Sequence, residues 1–278
     1  MRKIFILLYC IVLAAQYSMV SAQKTTMEIW KGGSVIQRYK TDDVDSVTFK
    51  ETAVSDNSKT INGHKFIDLG LPSGTLWAET NIGADLPADC GLYFAWGEKT
   101  FAWGENASGR DFSDYTNTYF QNDNYTKYNH LDGKKKLDAE DDAASMRWGL
   151  PCKTPTKENF EELIENCLWD LVTQKTSSGK ERKGYMVTSK INKNSIFLPA
   201  AGGYEGEGFY NLDWAGYYWS DSITEDINEA YRFRLIMRAG DGALTFDGDD
   251  RIEMADSIRP VVDMSYSYRF HLTKCCLI

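Results

Sequence analysis

Histidine is scarce in this chain, with 3 among 278 residues. His64 sits in a strand-like motif, His130 in a polar stretch and His271 near the end. No Ser-His-acid order and no nucleophile elbow accompanies them, so the usual routes to nucleophilic catalysis are missing. The 6 cysteines show no Cys-x-x-Cys or Cys/His spacing, which removes a zinc centre or a dithiol redox site. Apolar runs are short: nothing approaches the ~20 residues that cross a bilayer as a helix. Cationic side chains are outnumbered, 31 Lys and Arg against 40 Asp and Glu, for a net charge of −9. That balance excludes the basic footprint of a nucleic-acid binder and electrostatic docking on anionic lipid.

What is present begins with an export signal. Arg2 and Lys3 precede an apolar stretch from Ile4 to Ala15, and Val20-Ser21-Ala22 offers small residues where a signal peptidase cuts. Residues 1–22 are therefore expected to be removed, leaving Gln23 first and an exported product that is secreted, periplasmic or held at the cell surface. Cys10 lies inside the apolar run and lacks the small residues that precede a lipid-attachment site. In an oxidising compartment Cys90, Cys152, Cys167, Cys275 and Cys276 could form disulfides, though an odd number leaves one unpaired. Cys152 and Cys167 flank an expected helix that holds them roughly 15–20 Å apart, beyond the ~7 Å between Cα atoms that a disulfide tolerates. Pairing of Cys90 with either one stays open.

Along the chain, Met27–Trp30 and Val35–Tyr39 are strand-like around a Lys-Gly-Gly-Ser turn, and Val44–Phe49 alternates with period two. Residues 23–50 thus read as a small β unit, 51–60 as a linker, 61–263 as the main domain and 264–278 as a tail. In the main domain, FAWGEKT is followed at once by FAWGEN, a local duplication whose second copy is expected to lengthen a loop. A helix is expected over Asp138–Arg147, with acidic residues at its positive end. A second is expected from a Thr156 cap to about Asp170, because Phe160, Leu163, Ile164, Cys167 and Leu168 form an apolar stripe. Short strands follow at Tyr185–Ser189, Ser195–Leu198, Gly216–Ser220, Ala230–Met237 and Ser257–Val262. Helices early and strands late predict an α+β fold.

Seven segments occur in an ordered series: GHKFIDLGLPSGTLWA, GLYFAWGE, LDAEDDAA, PTKENFEELIENC, NSIFLPAAG, GYYWSDS and SIRPV. Together they resemble the Fibrobacter succinogenes major paralogous domain of exported Bacteroidetes proteins, over roughly residues 61–263. The resemblance implies a C-type-lectin-like or formylglycine-generating-enzyme-like fold, with two helices beside a twisted antiparallel sheet and long binding loops. Glu79 stands where that family often has cysteine, and Cys152-Lys153 where it often has Trp-Arg. The oxidase branch of the superfamily uses two cysteines in its C-terminal half, and here that half offers only Cys275-Cys276, past the matched region.

Three groups of residues are candidate sites. Tyr204, Phe209, Tyr210 and Trp214 crowd a glycine-rich segment expected to be a surface loop, where rings contact a glycan or a protein. Asp241, Asp247, Asp249 and Asp250, with Glu253, form an acidic segment where calcium is a possible cofactor, although no EF-hand spacing or sugar-binding tripeptide accompanies it. Asp138, Glu140, Asp141 and Asp142 either hold calcium or charge-stabilise a helix start. The leading expectation is a non-enzymatic binding module for an extracellular glycan or protein. The alternatives are an assembly subunit of a surface appendage or matrix, and a relative of the oxidases.

Overall fold

The computed structural model describes residues 26–31, 34–43, 58–98, 103–104, 120–121, 124–129, 131–205, 208–226, 229–238, 244–251 and 254–264. Two compact units partition the chain, Met1–Ser55 and Asp56–Ile278. In the first, β1 (Thr26–Lys31) pairs antiparallel with β2 (Ser34–Lys40), with a bulge between Ile29 and Trp30. The alternating Val44–Phe49 segment lies outside the described residues, as do the leader and the tail beyond Met264.

The second unit is built mostly of short strands. In chain order these are β3 (Ser58–Ile61), β4 (His64–Asp68), β5 (Thr75–Ala78), β6 (Leu92–Ala95), β7 (Trp103–Gly104), β8 (Phe120–Gln121) and β9 (Asn124–Tyr125). Helices α1 (Ala143–Trp148) and α2 (Lys157–Asn166) follow. Then come β10 (Cys167–Lys175), β11 (Glu181–Ser189), β12 (Ser195–Pro199), β13 (Gly203–Glu205), β14 (Gly208–Tyr210), β15 (Ala215–Ile223), β16 (Glu229–Ile236), β17 (Leu244–Arg251), β18 (Ala255–Ser257) and β19 (Val261–Asp263). One sheet runs β14-β13-β18-β15-β16-β17, with β6 joined to β18 and β7 to β6; others run β19-β5-β4-β3 and β10-β11-β12, and β8 pairs β9.

This corrects the expected C-type-lectin-like α+β arrangement of two helices beside one sheet. Strands dominate several sheets, and the two helices span 6 and 10 residues. Each helix is shorter than its sequence pattern for an identifiable reason. Asp142 is the N-cap of α1, accepting from the Ala144 N–H, so Asp138–Asp141 form the preceding turn rather than the first helical residues. In α2, Thr156 and Asn159 exchange side-chain and backbone hydrogen bonds in a capping box at the expected start. At its other end Cys167 turns extended and the chain enters β10, which pairs with β11 over nine residues. Leu168-Trp169-Asp170-Leu171-Val172 carries strand-favouring aromatic and β-branched residues, and that ladder outweighs the helical stripe.

Two further expectations change. Strand β3 begins inside the segment read as linker. The second FAWGE copy does not merely lengthen a loop: its Trp103-Gly104 forms β7, which pairs with Leu92-Tyr93 of β6 beside the first copy. That first copy is core. Trp96 Nε1 donates to the Ser220 carbonyl at 2.9 Å, and Trp219 Nε1 donates to the Phe94 carbonyl at 2.7 Å. Each indole thus binds the other's strand, so the FAWGE and YWS motifs are two halves of one clasp.

Apolar packing divides into three clusters. Phe66, Trp96, Tyr128, Trp148 and Trp219 anchor one, with Cys152 among them. Trp77, Phe160, Tyr185, Tyr218 and Phe233 anchor the second, with Cys167. Tyr93 and Tyr204 anchor the third, with Cys90. All three cysteines are buried, and Cys152 and Cys167 are free thiols in different clusters. Burial pushes the Cys152 and Cys167 thiols up to about 11, so neither is a ready thiolate. Alkylation followed by peptide mapping should therefore modify Cys90, Cys152 and Cys167 only after denaturation; modification of any of them in the native protein would contradict this packing.

Candidate ligand-binding site

Tyr204, Phe209, Tyr210 and Trp214 follow one another through β13, β14 and the turn into β15, yet they meet very different environments. Tyr204 is not on the surface: it is 2% exposed, in the cluster with Tyr93 and Cys90. Phe209 packs edge-on to both Tyr93 and Tyr204, with ring centroids 5.2 and 5.1 Å apart. Tyr210 is half-buried, and Trp214 stands out at 59% exposure. Tyr204 is therefore core, Phe209 and Tyr210 are partly buried, and Trp214 is the exposed ring of the four.

The turn that presents Trp214 is held on every side. Asn211 and Asp213 adopt left-handed backbone, with φ of 55° and 62°, a conformation Asn and Asp tolerate better than other residues with a side chain. The N–H groups of Trp214 and Ala215 both donate to the Asn211 carbonyl, and the Asp213 N–H donates to the Ala200 carbonyl. The Trp214 carbonyl accepts from the Met237 N–H at 3.0 Å. The Asp213 carboxylate is 3.0 Å from the guanidinium of Arg182, which is 2% exposed. An exposed indole on so constrained a backbone contributes contact area with little ordering cost on binding.

Behind the turn lies a buried polar cluster. Asp256 of β18 is fully buried. Its carboxylate lies 3.4 Å from Arg232 Nη1 and accepts from the Tyr210 hydroxyl at 3.4 Å. The same Arg232 nitrogen donates to the Tyr210 oxygen at 3.0 Å, and the guanidinium stacks 4.2 Å from the centre of the Tyr217 ring. Asn211 Nδ2 donates to the Tyr217 hydroxyl at 2.7 Å, linking the cluster to the turn. Gly203 makes room for it: a Cβ there would stand 2.5 Å from the Tyr210 hydroxyl and 2.7 Å from Asp256. Burial pushes the Asp256 carboxyl up to about 6, against the opposing pull of Arg232 and Tyr210. Burial and the nearby Asp256 charge also raise the Tyr210 phenol, so Tyr210 acts as a neutral hydrogen-bonding group.

The acidic candidates are distributed differently. Asp247, Asp249 and Asp250 belong to β17, a strand rather than a loop, with Asp247 paired to Arg232 and Asp250 to Ala230 in the backbone register. Asp241 and Glu253 lie outside the described residues. Asp138, Glu140 and Asp141 do converge, with ligand oxygens within 4.8 Å of one another. The chain's own ammonium sits among them: Lys127 Nζ is 2.7, 2.7 and 2.5 Å from the three carboxylates. Desolvation alone would lower the Lys127 pKa, but the hydrogen bonds it donates to Asp138, Asp141 and Glu140 outweigh it and raise it. Asp142, the fourth acid, is spent on structure, accepting from Thr154, Ala144 and Ser145. His64 stacks on Trp148 with centroids 3.7 Å apart.

Sequence reasoning named the rings but missed Arg182, Arg232, Asp213 and Asp256, whose roles depend on residues distant in sequence. The one local hint was the Asn211–Trp214 stretch, where Asn and Asp alternate just before a strand, as turn residues do. Compared with known protein families, curated proteins and solved structures, the chain matches none.

Replacing Lys127 with Met should lower stability at pH 7 by about 1–3 kcal/mol, the range for charged hydrogen bonds. The Asp138 pKa is lowered by its hydrogen bonds to Lys127 and Lys134. A carboxylate held down in this way stabilises the fold above its unfolded pKa and loses that contribution as the pH falls. Urea unfolding at pH 7 and pH 3 should accordingly show a smaller acid loss for Lys127→Met than for the wild type. Equal losses would count against the triad's role.

Proposed function

We propose that this chain is an exported, non-enzymatic binding module whose ligand is a glycan stacked on Trp214. The observation that carries the reading is the 59% exposure of that indole on a turn fixed by Asp213–Arg182 and by main-chain bonds to Ala200 and Met237. Asn211 and Asp213 flank it with short polar side chains suited to sugar hydroxyls, and Tyr210 lies at the mouth of the polar cluster. The export-type leader and the seven-segment resemblance to a family of exported Bacteroidetes proteins support action outside the cytoplasm. No helix among the described residues is long and apolar enough to cross a membrane. The net charge of −9 argues against nucleic acid as the ligand.

The reading makes binding independent of calcium, because the carboxylate triad of the described residues already holds the Lys127 ammonium. Residues 23–278 screened on a glycan array should bind one sugar class equally with calcium and with chelator. Trp214→Ala should weaken that binding at least tenfold while leaving the melting temperature within about 2 °C. Loss of binding in chelator would shift the site to calcium and the β17 acids. A blank array would favour a protein ligand.

A second reading, an assembly subunit, has one observation in its favour. Ile29, Ile36 and Tyr39 of the β1–β2 hairpin are 41%, 55% and 41% exposed, and a two-stranded hairpin is marginal without further packing. That reading requires a mass that rises with concentration and becomes monomeric when residues 23–55, which stop short of β3, are deleted.

A further inference from the structure

Strand β10 is an edge. It pairs with β11 along its whole length, and among the described residues no strand pairs with its other side. Its exposed positions include Leu168 and Leu171, at 52% and 45%. Asp170 is the single charge between Leu168 and Gln174. Over Leu168–Gln174 this edge has one charge and no proline, and Lys175 guards only its far end, so most of its length calls for a cover. Trp169 and Leu171 share one face, where Trp169 packs against Tyr185 and Phe233, with centroids 5.9 and 5.8 Å away.

Residues 265–278 lie outside the described part of the chain, and their sequence carries a strand pattern. Tyr266, Tyr268, Phe270 and Leu272 alternate with Ser265, Ser267, Arg269, His271 and Thr273, a strict period of two. The chain leaves the described region beside the Gly74 turn, which α2 links to the start of β10. Met264 lies against Gly74, and the neighbouring Ser73 is hydrogen-bonded to Glu162 of α2 through its hydroxyl and its N–H. From Glu162 to Cys167, where β10 begins, is about 8 Å along the helix.

We propose that the segment Tyr266–Leu272 pairs with the open edge of β10 in its own chain, as a fourth strand of the β10-β11-β12 sheet, with Arg269 beside Asp170. That one register satisfies both kinds of complementarity. In either strand direction, Arg269 beside Asp170 sets Tyr268 and Phe270 next to Trp169 and Leu171, extending their apolar face. A one-residue slip would instead bring the polar residues of the segment against that face. The segment is tethered a few residues away, so its effective concentration favours its own edge over that of a second copy in dilute solution.

Amide hydrogen exchange on the full chain tests this. Removing residues 265–278 should speed exchange of alternate β10 amides at least tenfold and leave β11 unchanged. Asp170→Arg and Arg269→Asp should each reproduce part of that acceleration, and the double variant should restore protection. The proposal is overturned if β10 exchanges identically with and without the segment, if the double variant is no better than the singles, or if protection depends on protein concentration. The last outcome would identify a second copy as the occupant.

Discussion

Arg259 is the interaction on which the rest of the second unit depends. Its guanidinium is fully buried and is met by carbonyls and an amide rather than by a carboxylate. Nε donates to Asn81 Oδ1 at 2.8 Å, Nη1 to the Ala78 and Glu79 carbonyls, and Nη2 to the Phe197 carbonyl at 2.9 Å. Asn81 in turn donates to the Cys90 carbonyl. One side chain therefore ties the end of β5, the segment leading to β6, and β12 to the stretch between β18 and β19. Burial lowers the Arg259 pKa to about 10, which still leaves the group charged at neutral pH. A lone buried cation is expensive, and dipoles aimed from three directions offset that cost only if all three elements keep their places.

The candidate site follows from this constraint. Asp256 precedes Arg259 by three residues, and β18 lies between β6 and β15 in the sheet, with Asp256 paired to Phe94 and Ser257 to Tyr218. Fixing Arg259 sets which β18 residues face inward, and so brings Asp256 to Arg232 and Tyr210. Tyr218, next to the Tyr217 on which Arg232 stacks, donates to the Pro199 carbonyl of β12. Ala200, the next residue, accepts from the Asp213 N–H and anchors the Trp214 turn. From the buried guanidinium to the exposed indole, the steps are hydrogen bonds, strand pairings, one ring contact and neighbours along the chain.

Much of this was legible in the sequence wherever a signal is local. The strand at Tyr185–Ser189 and the Thr156 start of α2 both rest on neighbours within a few residues. The helix ends and the sheet arrangement were not legible, because each is decided by a distant partner. The apolar stripe through Cys167 and Leu168 suits a helix until β11 offers a ladder. The acids at 138–141 suit either a helix start or a cation site until Lys127 arrives from more than ten residues upstream. Nothing in the sequence around Asp256 and Arg232 records that Gly203 leaves space for their cluster. The same limit applied to Tyr204, whose glycine-rich surroundings suggest a loop although its ring is core.

Equilibrium urea unfolding of Arg259→Met against the wild type tests the account most directly. The variant keeps the volume but strips four acceptors of their donor, each worth about 1–3 kcal/mol when buried and unsatisfied. The account predicts a loss of roughly 3 kcal/mol or more. A stability unchanged within about 0.5 kcal/mol, the scatter of an ordinary surface substitution, would contradict it.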